Sequence, residues 1–224
     1  MEVLFIFGLV AITAIGAYQM YAKKKKNEEN QLYATDRGWT YHKKHPTFAR
    51  QAVQAVKGGR DSNTFQMVFE GRDNNVPFYA GTAVWTETSG SGKDQQTSTY
   101  YRKLIMRPLG LNVQGARIEK ETVFNNMFNR DIKTEWEEFN KAWKISSNDH
   151  RFVHALLAHS MQEWLMRNMD VNFFVSSGWL YVYAVGRLEK ESVDHYIRVS
   201  NEFREKVPEF LWQDYGTGGG NRRQ

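Results

Sequence analysis

The chain has 224 residues, enough for one good-sized domain or two small ones, and its aromatic content of 14% can fill a packed core. It contains no cysteine, which excludes disulfides, thiolate metal sites and cysteine nucleophiles. The net charge of +5 comes from the four lysines at 23–26 and two arginines near the C-terminus, less the one acid Glu2, while residues 27–221 carry 24 basic and 24 acidic residues. Such a neutral body lacks the basic footprint of a nucleic-acid-binding protein, so we expect no nucleic-acid partner.

The first predicted element is a transmembrane helix at the N-terminus. Residues 3–22 are twenty residues without a charge, and a helix of that length spans about 30 Å, the thickness of the hydrocarbon core of a bilayer. A cleavable signal peptide is the alternative, but it needs a basic segment before the apolar run, and the two residues that precede this run are not basic. We therefore expect residues 1–22 to form a transmembrane anchor.

The residues at the end of this segment predict its interface with the membrane. Tyrosine rings favour the headgroup region, and lysines are attracted to anionic lipids. The predicted membrane-interface residues are Tyr18, Tyr21, Lys23, Lys24, Lys25 and Lys26. Because basic flanks stay in the cytoplasm, the sequence predicts a single-pass protein of the cell membrane with a cytoplasmic domain, an extracellular domain being the alternative. The lipid bilayer is thus a predicted partner, although the lysines can also serve as a topology signal alone.

The segments that follow alternate between helical and extended patterns. Residues 23–36 are polar and are predicted to continue the first helix as a stalk that ends at Gly38. A helix is predicted from Pro46 to the glycine pair at 58–59. The first strand is predicted at residues 39–43, and the β-rich middle of the chain at 65–69, 78–86, 97–107 and 112–118, before a short helix near 123–128. Phe65, Met67 and Phe69 alternate with polar residues, which predicts that they share one face of a strand.

The last third has the clearest patterns. Phe139, Trp143 and Ile145 are predicted on one face of a strand, and Asp149 is the predicted N-cap of a helix. The remaining predicted elements are helix 149–168, a hairpin of residues 171–175 and 179–185, helix 189–206, and a flexible tail at 216–224.

Runs of strands with helices inserted between them, rather than strict β-α-β alternation, are typical of an α+β fold. The sequence thus predicts an N-terminal transmembrane helix followed by a mixed, mainly antiparallel sheet packed with several helices. The globular domain is placed at residues 37–215, behind the stalk. A strand, a helix and an antiparallel pair occur twice, which suggests two related halves, at about 37–130 and 131–215.

The candidate chemistry is sparse, and no catalytic, cofactor-binding or metal-binding residue is predicted. His150 and His154 share a helix face and could bind a metal together, but no third ligand is evident, and solvent-facing histidines explain them more simply. His42 and His45 lie near a strand end, where their spacing alone indicates little. The stretch SGSGK at 89–93 resembles a phosphate loop, but Glu87 and the acid after the lysine depart from that pattern.

The strongest candidate for a binding surface is an aromatic strand. Trp179, Tyr181 and Tyr183 fall on one face of it, and an exposed face of this kind would suit a peptide, a lipid or a protein. The alternative is that both faces of this strand are buried between helices.

Several stretches resemble uncharacterised bacterial, actinobacterial-type, single-pass membrane proteins that carry a domain of unknown function behind one N-terminal helix. The matching stretches are the first helix, ATDRGWTY at 34–41, FEGRDNNVPFYAGTAVW at 69–85, EFNKAWKISSNDHRFVHALLAHSMQEWL at 138–165 and VPEFLWQDYG at 207–216. The resemblance implies membrane attachment and an α+β domain, and it implies no activity.

These observations favour a membrane-tethered, non-enzymatic interaction or scaffolding domain with an unidentified protein partner. The alternative is a module that binds lipid headgroups or peptides through the aromatic strand and the lysines at 23–26. A hydrolase that uses histidine or carboxylate chemistry is the third hypothesis.

Overall fold

The structure is a computed structural model that describes residues 2–56, 63–120 and 132–217, with the side chains of residues 2–14 and 93 left outside the description. The glycine pair at 58–59, the predicted helix near 123–128 and residues 218–224 of the predicted tail lie outside the described residues. The described helices are α1 (Glu2–Thr35), α2 (Pro46–Ala55), α3 (Glu137–Ala142), α4 (His150–Leu156), α5 (His159–Arg167), α6 (Val193–Lys206) and α7 (Glu209–Tyr215). The described strands are β1 (Thr40–Lys44), β2 (Thr64–Asp73), β3 (Val76–Ser89), β4 (Gln96–Pro108), β5 (Ala116–Lys120), β6 (Trp143–Ser147), β7 (Asn172–Ser176) and β8 (Trp179–Val185).

The eight described strands form one sheet in the order β1-β2-β3-β4-β8-β7-β5-β6, and every described pair is antiparallel. The strands before β5 occupy one half of the sheet, and β4 joins that half to β8. β1 is an edge strand, a position whose unpaired backbone groups must be covered or otherwise protected. The division into two related halves stays a prediction.

Both faces of this sheet are covered. Successive side chains of a strand point to opposite faces, so along β4 Ile105 belongs to one hydrophobic cluster while Leu104 and Met106 belong to the other. The larger cluster takes up the buried faces of α3 to α7, and the smaller one contains the buried face of α2. Strands in such a sheet are buried on both sides in their central part.

The predicted fold class is wrong in its first element, the transmembrane helix. Among the described residues, no helix is both long enough and apolar enough to cross a membrane. The helix α1 continues without a break from Glu2 to Thr35, and its second half carries four lysines and two glutamates, so a large part of it is not apolar. That second half, predicted as a polar stalk, lies against the domain, with Asn30 and Ala34 buried.

A bulge in β2 changes which of its residues face α2. The pairing register shifts between Gln66 and Phe69, and Met67 lies at φ 50°, in the left-handed region. Phe65 therefore faces α2, while Phe69 belongs to the opposite cluster. The prediction that Phe65, Met67 and Phe69 share one face is wrong for Phe65, because the extra residue changes the alternation and Met67 packs against the same cluster as Phe69.

Two further predicted elements differ in their limits. The helix predicted at 149–168 is two helices, α4 and α5, separated near Leu157, whose carbonyl accepts a hydrogen bond of 2.7 Å from the Gln162 side chain. Phe139 lies in α3, and the strand predicted to include it begins at Trp143. Asp149 is the N-cap of α4, as predicted, since its side chain accepts a hydrogen bond from the backbone N–H of Phe152.

Candidate functional site

The second half of α1 is held along the edge strand β1 by Tyr41. The Tyr41 hydroxyl donates a hydrogen bond of 2.8 Å to Asn27 Oδ1 and accepts one of 3.3 Å from Asn30 Nδ2. Tyr41 and Asn30 are both buried, and burial raises the pKa of Tyr41. Because a buried amide without a partner is costly, these bonds fix the spacing between α1 and β1.

Contacts on another side of α1 fix its direction. Three ion pairs join α1 and the turn after it to the segment that begins α6: Lys26–Glu189, Glu29–Lys190 and Arg37–Asp194. Each pair is solvated and contributes little alone. Tyr33 adds a hydrogen bond to Asp194 and an edge-on contact with Phe69. We infer that the second half of α1 is an integral part of the domain.

A basic groove runs between α1 and β1, with a volume of about 800 Å³. One helix face supplies one wall and the edge strand supplies the other. The groove is lined by Met20, Lys23, Lys24, Asn27, Glu28 and Gln31 from α1 and by Tyr41, His42, Lys43 and Lys44 from β1. Four lysines face a single carboxylate, that of Glu28, which lies 3.9 Å from Lys24 Nζ. The groove therefore favours an anionic ligand.

The part of α1 just before the groove exposes apolar side chains. Of the eight large hydrophobic residues exposed in the described part of the chain, four lie within residues 15–21: Ile15, Tyr18, Met20 and Tyr21. Each of them is more than half exposed, and Met20 also lines the groove. An exposed apolar surface bordered by charged residues is typical of a site that contacts a membrane or a protein. We call residues 15–21 the apolar segment of α1.

The six residues predicted for a membrane interface lie on α1: Tyr18, Tyr21, Lys23, Lys24, Lys25 and Lys26. Both tyrosines are exposed, and two of the lysines line the basic groove. Lys26 instead donates a hydrogen bond of 2.7 Å to Glu189 and helps to hold α1 on the domain.

The predicted aromatic face of β8 lies under α2. Tyr181 is 4% exposed and its hydroxyl accepts a hydrogen bond from Gln51 of α2, while Tyr183 is 3% exposed and donates to Glu119 at 2.5 Å. Burial raises the pKa of Tyr183 well above its usual range, and the Glu119 carboxylate raises it further. Trp179, at the start of the strand, is partly exposed. The two tyrosines are thus core residues, which matches the alternative of burial on both faces.

A cluster of two histidines and a glutamate lies beside the groove. His42 Nε2 is 2.7 Å from Glu70 Oε2, His45 Nε2 is 3.7 Å from the same oxygen, and the two imidazole rings are 4.8 Å apart. His42 belongs to both the cluster and the groove. Burial raises the pKa of Tyr79, and the negative charge of the nearby Glu70 carboxylate raises it further.

Sequence reasoning noted both histidines of this cluster but missed Glu70. The antiparallel pairing places Thr40 opposite Glu70 and His42 opposite Val68, and the bulge at Met67 puts these residues on the α2 face. Strict alternation from Phe65 would instead place residue 70 on the face away from α2. Sequence reasoning missed Glu70 because the sequence pattern does not reveal the bulge.

The other candidates from the sequence do not converge on this region. His150 and His154 are exposed on α4. His159 lies 3.3 Å from Glu163, one turn along α5. Ser89 ends β3, and the turn after it joins β3 to β4.

No protein-family model matches the chain, and no curated protein sequence matches it. The fold is similar to that of the mycobacterial trehalose monomycolate transport factor A, TtfA, whose crystal structure superposes on this chain with a TM-score of 0.59. The sequences are 9% identical, and the match covers 81% of this chain and 93% of the other. At this identity the similarity establishes a common fold and nothing about activity.

Proposed function

We propose that this chain is a non-enzymatic accessory protein that binds lipid headgroups at a membrane surface. The observation that carries the proposal is the basic groove, which begins where the exposed apolar segment of α1 ends. An amphiphile needs both surfaces, because its headgroup carries charge and its chains exclude water. A similarly folded protein is a transport factor for trehalose monomycolate, a glycolipid, and this also supports a role connected with lipids.

The two surfaces contribute different kinds of binding energy. Each lysine near an anionic membrane contributes about 1 kcal/mol, an interaction that salt screens. The apolar segment adds burial of hydrophobic area, at about 25 cal/mol per Å², and its tyrosines suit the headgroup level. We therefore expect binding that needs anionic lipid and weakens in salt without vanishing.

Flotation of the full-length chain with vesicles tests this proposal. Vesicles of phosphatidylcholine, with and without phosphatidylglycerol, are compared at low and high salt. The groove variant replaces three lysines by glutamine, K24Q/K43Q/K44Q, and a matched control replaces three exposed lysines far from the groove, K133Q/K141Q/K206Q. Both variants remove the same charge, so only the location differs.

We expect the groove variant to bind anionic vesicles at least about tenfold more weakly, since three lysines at roughly 1 kcal/mol each are lost. The control variant should bind as the unmodified chain does. Equal weakening in the two variants would reduce the effect to net charge and contradict a specific groove. Absence of vesicle binding by the unmodified chain would favour a protein as the partner of the apolar segment.

We also propose that the domain works on the cytoplasmic face of the cell membrane, where anionic lipids attract lysine side chains. The chain has no cysteine, so a single one introduced at Ser91, which is exposed near the tip of the β3–β4 hairpin, reports its compartment. A membrane-impermeant thiol reagent should label S91C only after cell lysis. Labelling of intact cells would place the domain outside.

A further inference from the structure

We propose that His42, His45 and Glu70 form a binding site for a divalent transition metal, with Zn²⁺ as the best-fitting ion. Their candidate ligand atoms, one from each residue, all lie within 4.8 Å of one another. Two imidazole nitrogens and one carboxylate oxygen are a ligand set that zinc accepts, with a fourth position left to water or an anion. Imidazole donors disfavour Mg²⁺ and Ca²⁺, which prefer oxygen ligands.

The distances between the donors suit a small ion. In a tetrahedral site with zinc–ligand bonds of about 2.0–2.1 Å, neighbouring donors are roughly 3.3 Å apart. The observed separations from Glu70 Oε2 are 2.7 Å to His42 Nε2 and 3.7 Å to His45 Nε2. Both values are within about 1 Å of the tetrahedral separation, so rotation of side chains can accommodate the ion while the backbone stays in place.

Each ligand is placed by a different element of the fold. His42 lies on β1, His45 is the N-cap of α2, and Glu70 lies on β2 after the bulge. The backbone N–H of His45 donates a hydrogen bond of 2.8 Å to the Phe65 carbonyl, and its ring contacts Phe48. Such support lowers the entropy lost when a metal binds, and outer groups that orient ligands raise metal affinity.

Tyr79 is a neighbour of the candidate ligands. It lies directly opposite Glu70 in the pairing of β2 with β3, and its ring lies 5.6 Å from that of His45 and 4.3 Å from that of Phe48. Tyr79 therefore packs beside both Glu70 and His45.

Within the residues that the structure describes, this cluster is the one place where three donors of this kind converge. His195 and Asp170 pair at 2.9 Å on the surface without a third such ligand. His150 and His154 lie four residues apart on α4, and among the described residues no carboxylate joins them to form a group of three donors. The surface histidines therefore provide natural controls.

The test is a zinc titration of the full-length chain, free of any purification tag, in mild detergent. Isothermal titration calorimetry measures stoichiometry and affinity, and Co²⁺ in place of Zn²⁺ reports the ligand geometry through its visible absorption. The variants are H45A and E70Q, and the control is H150N/H154N, which removes two histidines outside the cluster. Circular dichroism verifies that each variant is folded. If H45A does not fold, the zinc affinity of E70Q alone tests the proposal.

We expect one zinc ion per chain, no binding of Mg²⁺, and a loss of at least about 100-fold in zinc affinity in H45A and in E70Q, because removing a ligand exceeds the 10- to 100-fold effect of removing an outer-shell group. The control should bind zinc as the unmodified chain does. Absence of zinc binding by the unmodified chain overturns the proposal, as does unchanged affinity in E70Q. Neither result depends on whether the basic groove binds lipid.

Discussion

Arg107 is a buried cation that ties the sheet to α6, and the cost of removing it can be derived from its surroundings. Its Nη1 donates hydrogen bonds to Ser200 Oγ at 3.0 Å and to Asn201 Oδ1 at 2.6 Å, and its Nη2 lies 3.7 Å from Asp73 Oδ2. The side chain of Arg107 is 4% exposed, whereas that of Asp73 is 28% exposed. The two halves of this ion pair therefore differ in their access to water.

This difference in exposure predicts which of two substitutions destabilises the chain more. Asp73→Ala leaves the guanidinium buried without its counterion, which costs about 3 kcal/mol or more. Arg107→Met leaves a carboxylate that reaches solvent and keeps its hydrogen bond of 2.8 Å from Asn201. It also removes the desolvation penalty of the cation, so we expect a cost of about 1–2 kcal/mol.

Urea unfolding of the full-length chain at neutral pH, followed by tryptophan fluorescence, measures both costs as shifts of the midpoint at constant slope. The double variant should be less destabilised than the sum of the two single variants, by at least about 1 kcal/mol, because the residues interact directly. A larger cost for Arg107→Met than for Asp73→Ala would refute the argument that desolvation of the buried cation dominates. A sum that is strictly additive would show that the ion pair contributes nothing.

Three further substitutions test the packing and the charges of the fold. Gly81→Ala should destabilise the chain by about 1–3 kcal/mol in urea unfolding, because a Cβ there would lie 2.8 Å from Val68 Cγ2, opposite the bulge. Tyr41→Phe should cost about 1–2 kcal/mol in the same assay and raise the proteolytic sensitivity of α1, since the buried Asn30 amide loses its partner. The hydrogen bond from the Trp164 indole and the nearby Arg198 lower the pKa of Glu202. A lowered pKa in the folded state stabilises the chain above the unfolded value, about pH 4.3, and this contribution disappears as the pH falls through the folded value. Glu202→Gln should therefore lose less stability in that acid range, measured as the midpoint of thermal unfolding at a series of pH values. An unchanged pH dependence in Glu202→Gln would contradict the role given to this carboxylate.

Local patterns predicted many strands of this fold because their apolar residues follow the alternation that burial requires. The N-cap Asp149 and the hairpin that contains Trp179 depend on residues near each other in the chain, which is where sequence reasoning is strong. The bulge at Met67 was not predictable from the alternation within β2, since it shows only in the pairing of β2 with β3, where Gly81 lies opposite it. That single extra residue decides the position of Glu70.

The candidate site was only partly predictable for the same reason. The lysines and tyrosines of α1 stood out because they are adjacent in sequence, and two of the lysines, Lys23 and Lys24, do line the groove. The opposite wall, formed by Lys43 and Lys44, follows from the edge position of β1, which depends on the whole strand order. Tyr181 of the aromatic strand is not an exposed binding surface because α2 covers it, and this contact joins segments 130 residues apart in sequence.

The position of the groove at a sheet edge permits two explanations for its lysines, namely protection of the edge strand and binding of an anionic ligand. Lysines on an exposed edge strand prevent pairing with other chains, so Lys43 and Lys44 need no ligand to be explained. That role does not require a second basic wall, because α1 already covers part of the edge through its hydrogen bonds to Tyr41. Lys23 and Lys24 place more positive charge where protection of the edge is already achieved, next to an apolar segment that remains exposed. If edge protection were the whole explanation, K24Q/K43Q/K44Q would self-associate in sedimentation experiments and bind anionic vesicles normally. A monomeric variant with weakened vesicle binding would assign the groove to a ligand.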